Sequence, residues 1–242
     1  MSELNRYGLI KEKNPREILL LRGRGCAWKR CRFCDYHLDA SKDEKENFLI
    51  NRPQLRLITG IYQKLEVINS GSFVDLDLYT IKMIKDICVE KGIKEVHFES
   101  HWMHRKEIAG LKDFFGQDNI VVKIKIGVET FDTLFRESYL VKGIETDSPE
   151  EIAIYFDEVC LLQGLPGQTK ASMETDIETG LTYFERVCVN IMEENTMPIR
   201  PDPSVIHIFL KEIYPKYKDN DRVDILLENT DFGVGGVARD EK

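Results

Sequence analysis

The chain has 242 residues, 42% apolar and 31% charged, enough to bury a core without disulfide staples. Its 34 Lys and Arg against 42 Asp and Glu give a net charge of −8, which argues against a long nucleic-acid partner and leaves Lys29, Arg30 and Arg32 as a local patch for a few phosphates. No apolar run is long enough to span a bilayer, and MSELNRYGLIKEKNPRE lacks the apolar segment of a secretory signal, so the expectation is a cytoplasmic single domain over 1–242 acting on a small molecule, with no membrane and no stable nucleic-acid partner.

Apolar runs alternate with amphipathic stretches along the chain. EILLLRG (17–23) reads as a buried strand, 51–64 as a helix, and LEVINSG (65–71) as a strand ending in small residues. A helix over 76–91 stops at Gly92, IKEVHFES (93–100) is a strand, and 104–115 a helix. IVVKIKIGVE (120–129) is a strand, followed by a helix over 130–142 ending at Gly143. YFDEVCLLQG (155–164) is a strand, 170–184 a helix, 186–192 a strand, 202–217 a helix and RVDILLE (222–228) a last short strand. Such alternation predicts a parallel sheet with helices outside it, and about six units predict an open or partial α/β barrel. In that architecture the site lies at the carboxyl ends of the strands. There fall the loop after strand one, Ser70 to Ser72, Glu99, Glu129 and Gly164 to Thr169.

The loop after strand one, GCAWKRCRFCDYHLD, holds Cys26, Cys31 and Cys34 in the spacing C-x4-C-x2-C. A reducing compartment keeps such thiols free for metal or redox work. Short spacing lets one loop wrap one soft-metal centre. No convincing fourth thiolate exists: Cys88, Cys160 and Cys188 read as small buried hydrophobes. Three thiolates leave one iron of a [4Fe–4S] cluster without a protein ligand, an open position for chemistry. The rival is a structural zinc site of Cys26, Cys31, Cys34 and His37, and the plainest reading is three unligated thiols.

The layout resembles the radical S-adenosylmethionine (radical SAM) superfamily. The resemblance implies a partial (β/α)6 TIM-like barrel, with a core over about 17–195 and a substrate-covering extension over about 196–242. It implies a [4Fe–4S] cluster on Cys26, Cys31 and Cys34, with S-adenosylmethionine on the free iron. It places Phe33 and Leu165 near the adenine, and Ser70, Gly71 and Ser72 of NSGSF at the methionine amino group. Glu99 would bond the ribose, and Glu129 with Lys142, in GVETF and LVKG, would face the nucleoside and carboxylate. The sequence departs from the commonest cysteine spacing by one residue, so the loop bulges, and only about a dozen mostly acidic residues separate Lys142 from strand five, where relatives fit a full helix.

Within the superfamily the pattern resembles the queuine lyases. That implies cleavage of queuine to 7-aminomethyl-7-deazaguanine through a 5′-deoxyadenosyl radical, with reduced flavodoxin or ferredoxin as electron donor. A cationic amine and a guanine-like edge ask for acceptors. Asp202, Glu228 and Asp231 are candidates in the C-terminal third, with Asn229 and the glycine-rich 228–236 beside them. Tyr36 and His101 are further candidates, although a packing role explains both better. The competing expectations are a radical SAM enzyme on another 7-deazaguanine or tRNA-linked substrate, and a zinc-stabilised binding module.

Overall fold

Seven parallel strands in chain order, with one antiparallel strand at the edge, form the sheet of the computed structural model, which describes residues 4–236. The strands are β1 Tyr7–Ile10, β2 Arg16–Leu21, β3 Lys64–Asn69, β4 Glu95–Glu99, β5 Val121–Glu129, β6 Glu158–Gln163, β7 Arg186–Ile191 and β8 Val223–Leu226. Each neighbours the next in sequence, and only the β1–β2 hairpin is antiparallel. The helices are α1 Glu44–Leu55, α2 Leu78–Lys91, α3 Ile108–Gly116, α4 Pro149–Ala153, α5 Lys170–Tyr183, α6 Pro203–Ile208 and α7 Tyr214–Tyr217. The result is the expected α/β partial barrel, with one parallel strand more than six units supply and an added β1.

Several boundaries differ from the sequence reading. The first helix starts at Glu44 rather than 51, because the Asp43 carboxylate accepts the Lys45 and Glu46 amides and caps it there. It ends at Leu55, soon after Pro53, and the chain then turns through Gly60 at φ 77°. The helix expected over 130–142 shrinks to a short segment closing in a π turn, Phe135–Leu140, and is stopped by Val141 at φ 59° rather than by Gly143. The acidic stretch after Lys142 fits α4, a five-residue helix capped by Ser148. Residues 102–104 form a separate 3₁₀ turn before α3.

Helix-facing strand residues and the inner helix faces make the main core, with Leu19, Leu65, Val96, Ile124, Val159, Val187 and Val223 all but excluded from solvent. Each such side chain contributes about 1.5–3 kcal/mol of transfer free energy. The concave face is different: it carries a layer of charges, one or two per strand. Arg16 Nε donates to Glu66 at 2.5 Å, Lys125 pairs with Glu66, and Arg16 reaches Asp224 of β8 at 3.5 Å. His97 joins Glu95 at 2.9 Å and Glu158 at 3.2 Å. The Arg16–Asp224 contact joins β2 to β8 across the mouth of the curled sheet. Burial alone would raise the Glu66 carboxyl, but Arg16 and Lys125 outweigh it and hold the group below the usual carboxylate range.

Candidate active site

Two cavities open along the concave face, and the strand ends decide what lines them. The outer one, about 400 Å³, is lined by Cys26, Cys31 and Cys34 with Phe33, Ser70, Gly71, Glu99, His101, Glu129 and Lys142. The inner one, about 480 Å³, lies over the charged layer and is lined by Glu66, Ile68, Lys125, Cys160, Cys188 and Phe232 among others. Tyr36, Ser70, Glu99, Asn190 and Asn229 belong to both walls, so the cavities are adjoining rooms.

The cysteine loop is clamped by three distant segments. The Cys26 amide donates to the Ser70 carbonyl at 3.1 Å, and a Cβ on Gly71 would stand 2.9 Å from the Cys26 nitrogen, so only glycine lets the two backbones pass. The Arg32 amide donates to the Leu140 carbonyl at 3.0 Å, and the Trp28 indole donates to the Val141 carbonyl at 2.8 Å. Asn195 donates to the Phe33 carbonyl at 2.7 Å. Beneath the loop Phe33 packs with Leu140, Leu162, Leu165, Met192 and Ile199. All six cysteines are free thiols. Burial pushes the Cys31 thiol up to about 12 and Cys34 up to about 11, with Lys142 opposing, so a bound cation is what would hold them as thiolates.

Glu129 and Lys142 form an ion pair of 2.6 Å beside the thiols. The backbone is shaped for it: Glu129 sits at φ 71° next to a register shift in β5, and a Cβ on Gly127 would lie 2.6 Å from its carboxylate oxygen and 3.0 Å from the Lys142 ammonium. Burial alone would lower the Lys142 ammonium, but Glu129 outweighs it and holds it above the ordinary lysine value. The fully buried Arg136 supports this loop by donating to the Thr146 carbonyl at 2.5 Å, while Glu137 accepts the Gly143 amide at 2.7 Å. His101 Nε2 donates to the Lys142 carbonyl at 2.8 Å, and its Nδ1 accepts the Met103 amide at 3.2 Å, which sets the tautomer. Burial and then Lys142 press the imidazole down to about 4, so it is neutral. Its ring stacks on Trp28 at 5.5 Å. Burial lifts the Glu99 carboxyl to about 7 against the pull of Lys125, so a carboxyl near the wall between the rooms changes charge close to neutrality.

The structure therefore gathers Cys26, Cys31, Cys34, Phe33, Tyr36, Ser70, Gly71, Glu99, His101, Glu129 and Lys142 around one cavity. Other expected residues lie elsewhere. Ser72 is buried, its hydroxyl accepting the His101 amide at 2.9 Å. Leu165 is wholly buried behind the wall that Leu162 lines. Asp202 is spent as the N-cap of α6, and Asp231 accepts the Leu227 and Glu228 amides of its own turn. Asp202, Glu228 and Asp231 line neither cavity; Asn229 lines both. The His37 side chain lies outside the described residues, as do 237–242 of the C-terminal extension. Cys160 and Cys188, read as packing residues, face the inner cavity with Lys125 and Glu66. The signal that marks them is polar residues at alternate positions of strands otherwise apolar.

No protein-family model matches the chain, and no curated protein does. Among solved structures, queuine lyase from Clostridium spiroforme bound to SAM and queuine is 44% identical, with a TM-score of 0.92 over 96% of this chain and 100% of that one. The chain belongs to the queuine lyase family. Its radical SAM fold accounts for the parallel half-barrel and for the cysteine loop at the carboxyl rim. The spore cortex-lytic enzyme SleL of Bacillus megaterium QM B1551 (12% identity, TM-score 0.32, 69% of this chain and 44% of that one) carries no argument. Neither does the putative sporulation-specific glycosylase ydhD of Bacillus subtilis (8%, TM-score 0.35, 86% and 79%).

Proposed function

We propose that this member of the family is a radical SAM lyase that cleaves queuine and releases 7-aminomethyl-7-deazaguanine. The observation that carries the reading is the pair of adjoining cavities: three free thiols and the Glu129–Lys142 pair in the outer room, an inner room of about 480 Å³ beyond Glu99. The donor set suits a [4Fe–4S] cluster on Cys26, Cys31 and Cys34 better than zinc. Among the described residues no three His, Cys, Asp or Glu side chains are arranged around a single ion, whereas a tetrahedral zinc needs its donors about 2.0–2.3 Å from one point. In a cluster each thiolate binds a different iron. When bound, cluster and S-adenosylmethionine supply a 5′-deoxyadenosyl radical that takes a hydrogen atom from the substrate.

The chain's own residues orient and enclose. Gly71 lets the backbone close on a ligand beside Cys26, and Lys142, fixed by Glu129 and by His101 on its carbonyl, presents a cation for a carboxylate. Phe33 offers an apolar face near the thiols. Glu99, on the wall between the rooms, is placed for a nucleoside hydroxyl or for the substrate. In the inner room Asn190, Asn229 and Glu66 offer the acceptors a guanine-like edge needs, while Lys125 and Asn190 offer donors. Ile68, Leu226 and Phe232 cover apolar surface. The electron would come from reduced flavodoxin or ferredoxin, and the free thiols fit a cytoplasmic setting. No helix among the described residues is long and apolar enough to cross a membrane.

The test is anaerobic reconstitution followed by incubation of reduced enzyme with S-adenosylmethionine and queuine. Iron and sulfide of about four each per chain, with 5′-deoxyadenosine and the aminomethyl base in the mass spectrum, are expected. Stoichiometric zinc, or queuine recovered whole alongside 5′-deoxyadenosine, would sink the reading.

A further inference from the structure

The stretch Arg22 to Arg32 holds five cations and no acid in a chain of net charge −8, so the rest of the molecule carries −13. Two of the five are engaged: Arg22 pairs with Glu46 at 2.9 Å, and Arg24 with Glu44 at 3.4 Å. Lys29, Arg30 and Arg32 are exposed and make no ion pair among the described residues. They are still held in place. The Arg30 guanidinium lies over Trp28 at 4.9 Å, and Arg32 lies over Tyr139 at 5.8 Å. A guanidinium held flat on a ring keeps its full charge and leaves its outward N–H groups for a partner. Arg30 and Arg32 flank Cys31 directly, each one Cα step of about 3.8 Å along the chain. Three exposed cations with no ion-pair partner among the described residues, and no acid between them, thus sit on the loop that carries the thiols.

We propose that this face docks an acidic one-electron carrier protein of the flavodoxin type, its ring of carboxylates set against Lys29, Arg30 and Arg32. The proposal rests on the cluster reading above: the carrier's reduced flavin is oxidised by one electron, and the metal centre on Cys26, Cys31 and Cys34 is reduced by one. A nucleic acid fits less well. Three unpaired cations neutralise about three phosphates, against the 6–10 that give strong binding, and a long polyanion would run on over an acidic surface. A compact partner with its charge on one face meets only the patch, and such complementarity steers encounter.

The experiment uses reconstituted holoenzyme and reduced flavodoxin, with binding and electron-transfer rate measured between about 50 and 300 mM salt. For the triple variant Lys29→Glu/Arg30→Glu/Arg32→Glu, association is expected to slow about tenfold or more and to lose its salt dependence. Iron content and turnover driven by dithionite, which needs no docking, stay at the wild-type level. Should the triple variant fail to fold, Lys29→Gln/Arg32→Gln is expected to slow association about threefold. Unchanged carrier binding and salt slope, with iron and dithionite turnover intact, overturn the docking proposal alone. Competition by a transfer RNA at the same residues, with no carrier bound, overturns it in favour of a nucleic acid. A wild-type protein that takes up no iron overturns both this proposal and the reading beneath it.

Discussion

The carboxyl rim and the charged layer below it are both polar, yet they are held in opposite ways. At the rim the thiols lie within nine residues of one loop, and the carbonyls of residues 70, 140 and 141 fix that loop by accepting from its Cys26 and Arg32 amides and its Trp28 indole. In the layer the charges come one or two per strand and hold each other, Arg16 and Lys125 on Glu66, His97 on Glu158. The rim thiols are therefore dispensable to the fold, while the proposed chemistry rests on them. Layer side chains hold the fold as well as lining the inner room, because a buried charge without its partner costs several kcal/mol.

The sharpest way to break that contrast is Cys31→Ala. It should abolish 5′-deoxyadenosine formation and lower bound iron, yet cost only about 1 kcal/mol of stability; retained turnover, or a collapsed Tm, would contradict it. Lys125→Met should instead act strongly on stability. Glu66 keeps Arg16 but loses its second cation, an expected loss of about 3 kcal/mol and roughly 6–12 °C in Tm, read in thermal melts.

The pH dependence of the layer sharpens the point further. Glu95 is held down to about 2, chiefly by its hydrogen bond from His97, and Glu158 is held low because His97 outweighs burial. Their contribution is present above the unfolded value of about 4.3 and is lost as pH falls through the folded values. His97 runs the other way: burial alone would lower it, but Glu158 and Glu95 outweigh burial and raise it. Its contribution is complete below the unfolded value of about 6.5 and is lost as pH rises through the folded one. Thermal melts of wild type and His97→Gln should differ most near pH 5.5, by roughly 1–3 kcal/mol, and converge above neutrality. A gap constant to pH 9 would show that His97 is not charged. The smallest effect is expected at Gly127→Ala, where the new methyl displaces the Glu129–Lys142 pair and weakens S-adenosylmethionine about tenfold in a titration, with the Tm barely moved.

What the sequence made legible follows the same division. Contiguous signals read well: the buried runs of β3 to β7, Gly92 closing α2 at φ 69°, and the three loop cysteines, Ser70 and Gly71 reaching one cavity. The first helix misread because its cap, Asp43, lies in a polar stretch with no apolar periodicity to announce it. Glu66, His97, Lys125 and Glu158 are scattered over 93 residues of chain, and only the curl of the sheet brings them together. Acceptors sought in Asp202 and Asp231 turned out to cap backbone amides, the commonest use of an aspartate beside a helix or turn.

The bond from Asn195 to the Phe33 carbonyl spans 162 positions of sequence. A polypeptide leaves the ribosome amino end first. The sulfur-bearing loop is thus synthesised well before β7, yet its far clamp is made only after that strand. The proposed cluster would therefore be fully enclosed only in a finished barrel. In a zinc finger the ion drives folding from the start; here the walls of the receptacle come from strands and loops 162 positions apart, so the fold itself would complete the receptacle around the proposed cluster.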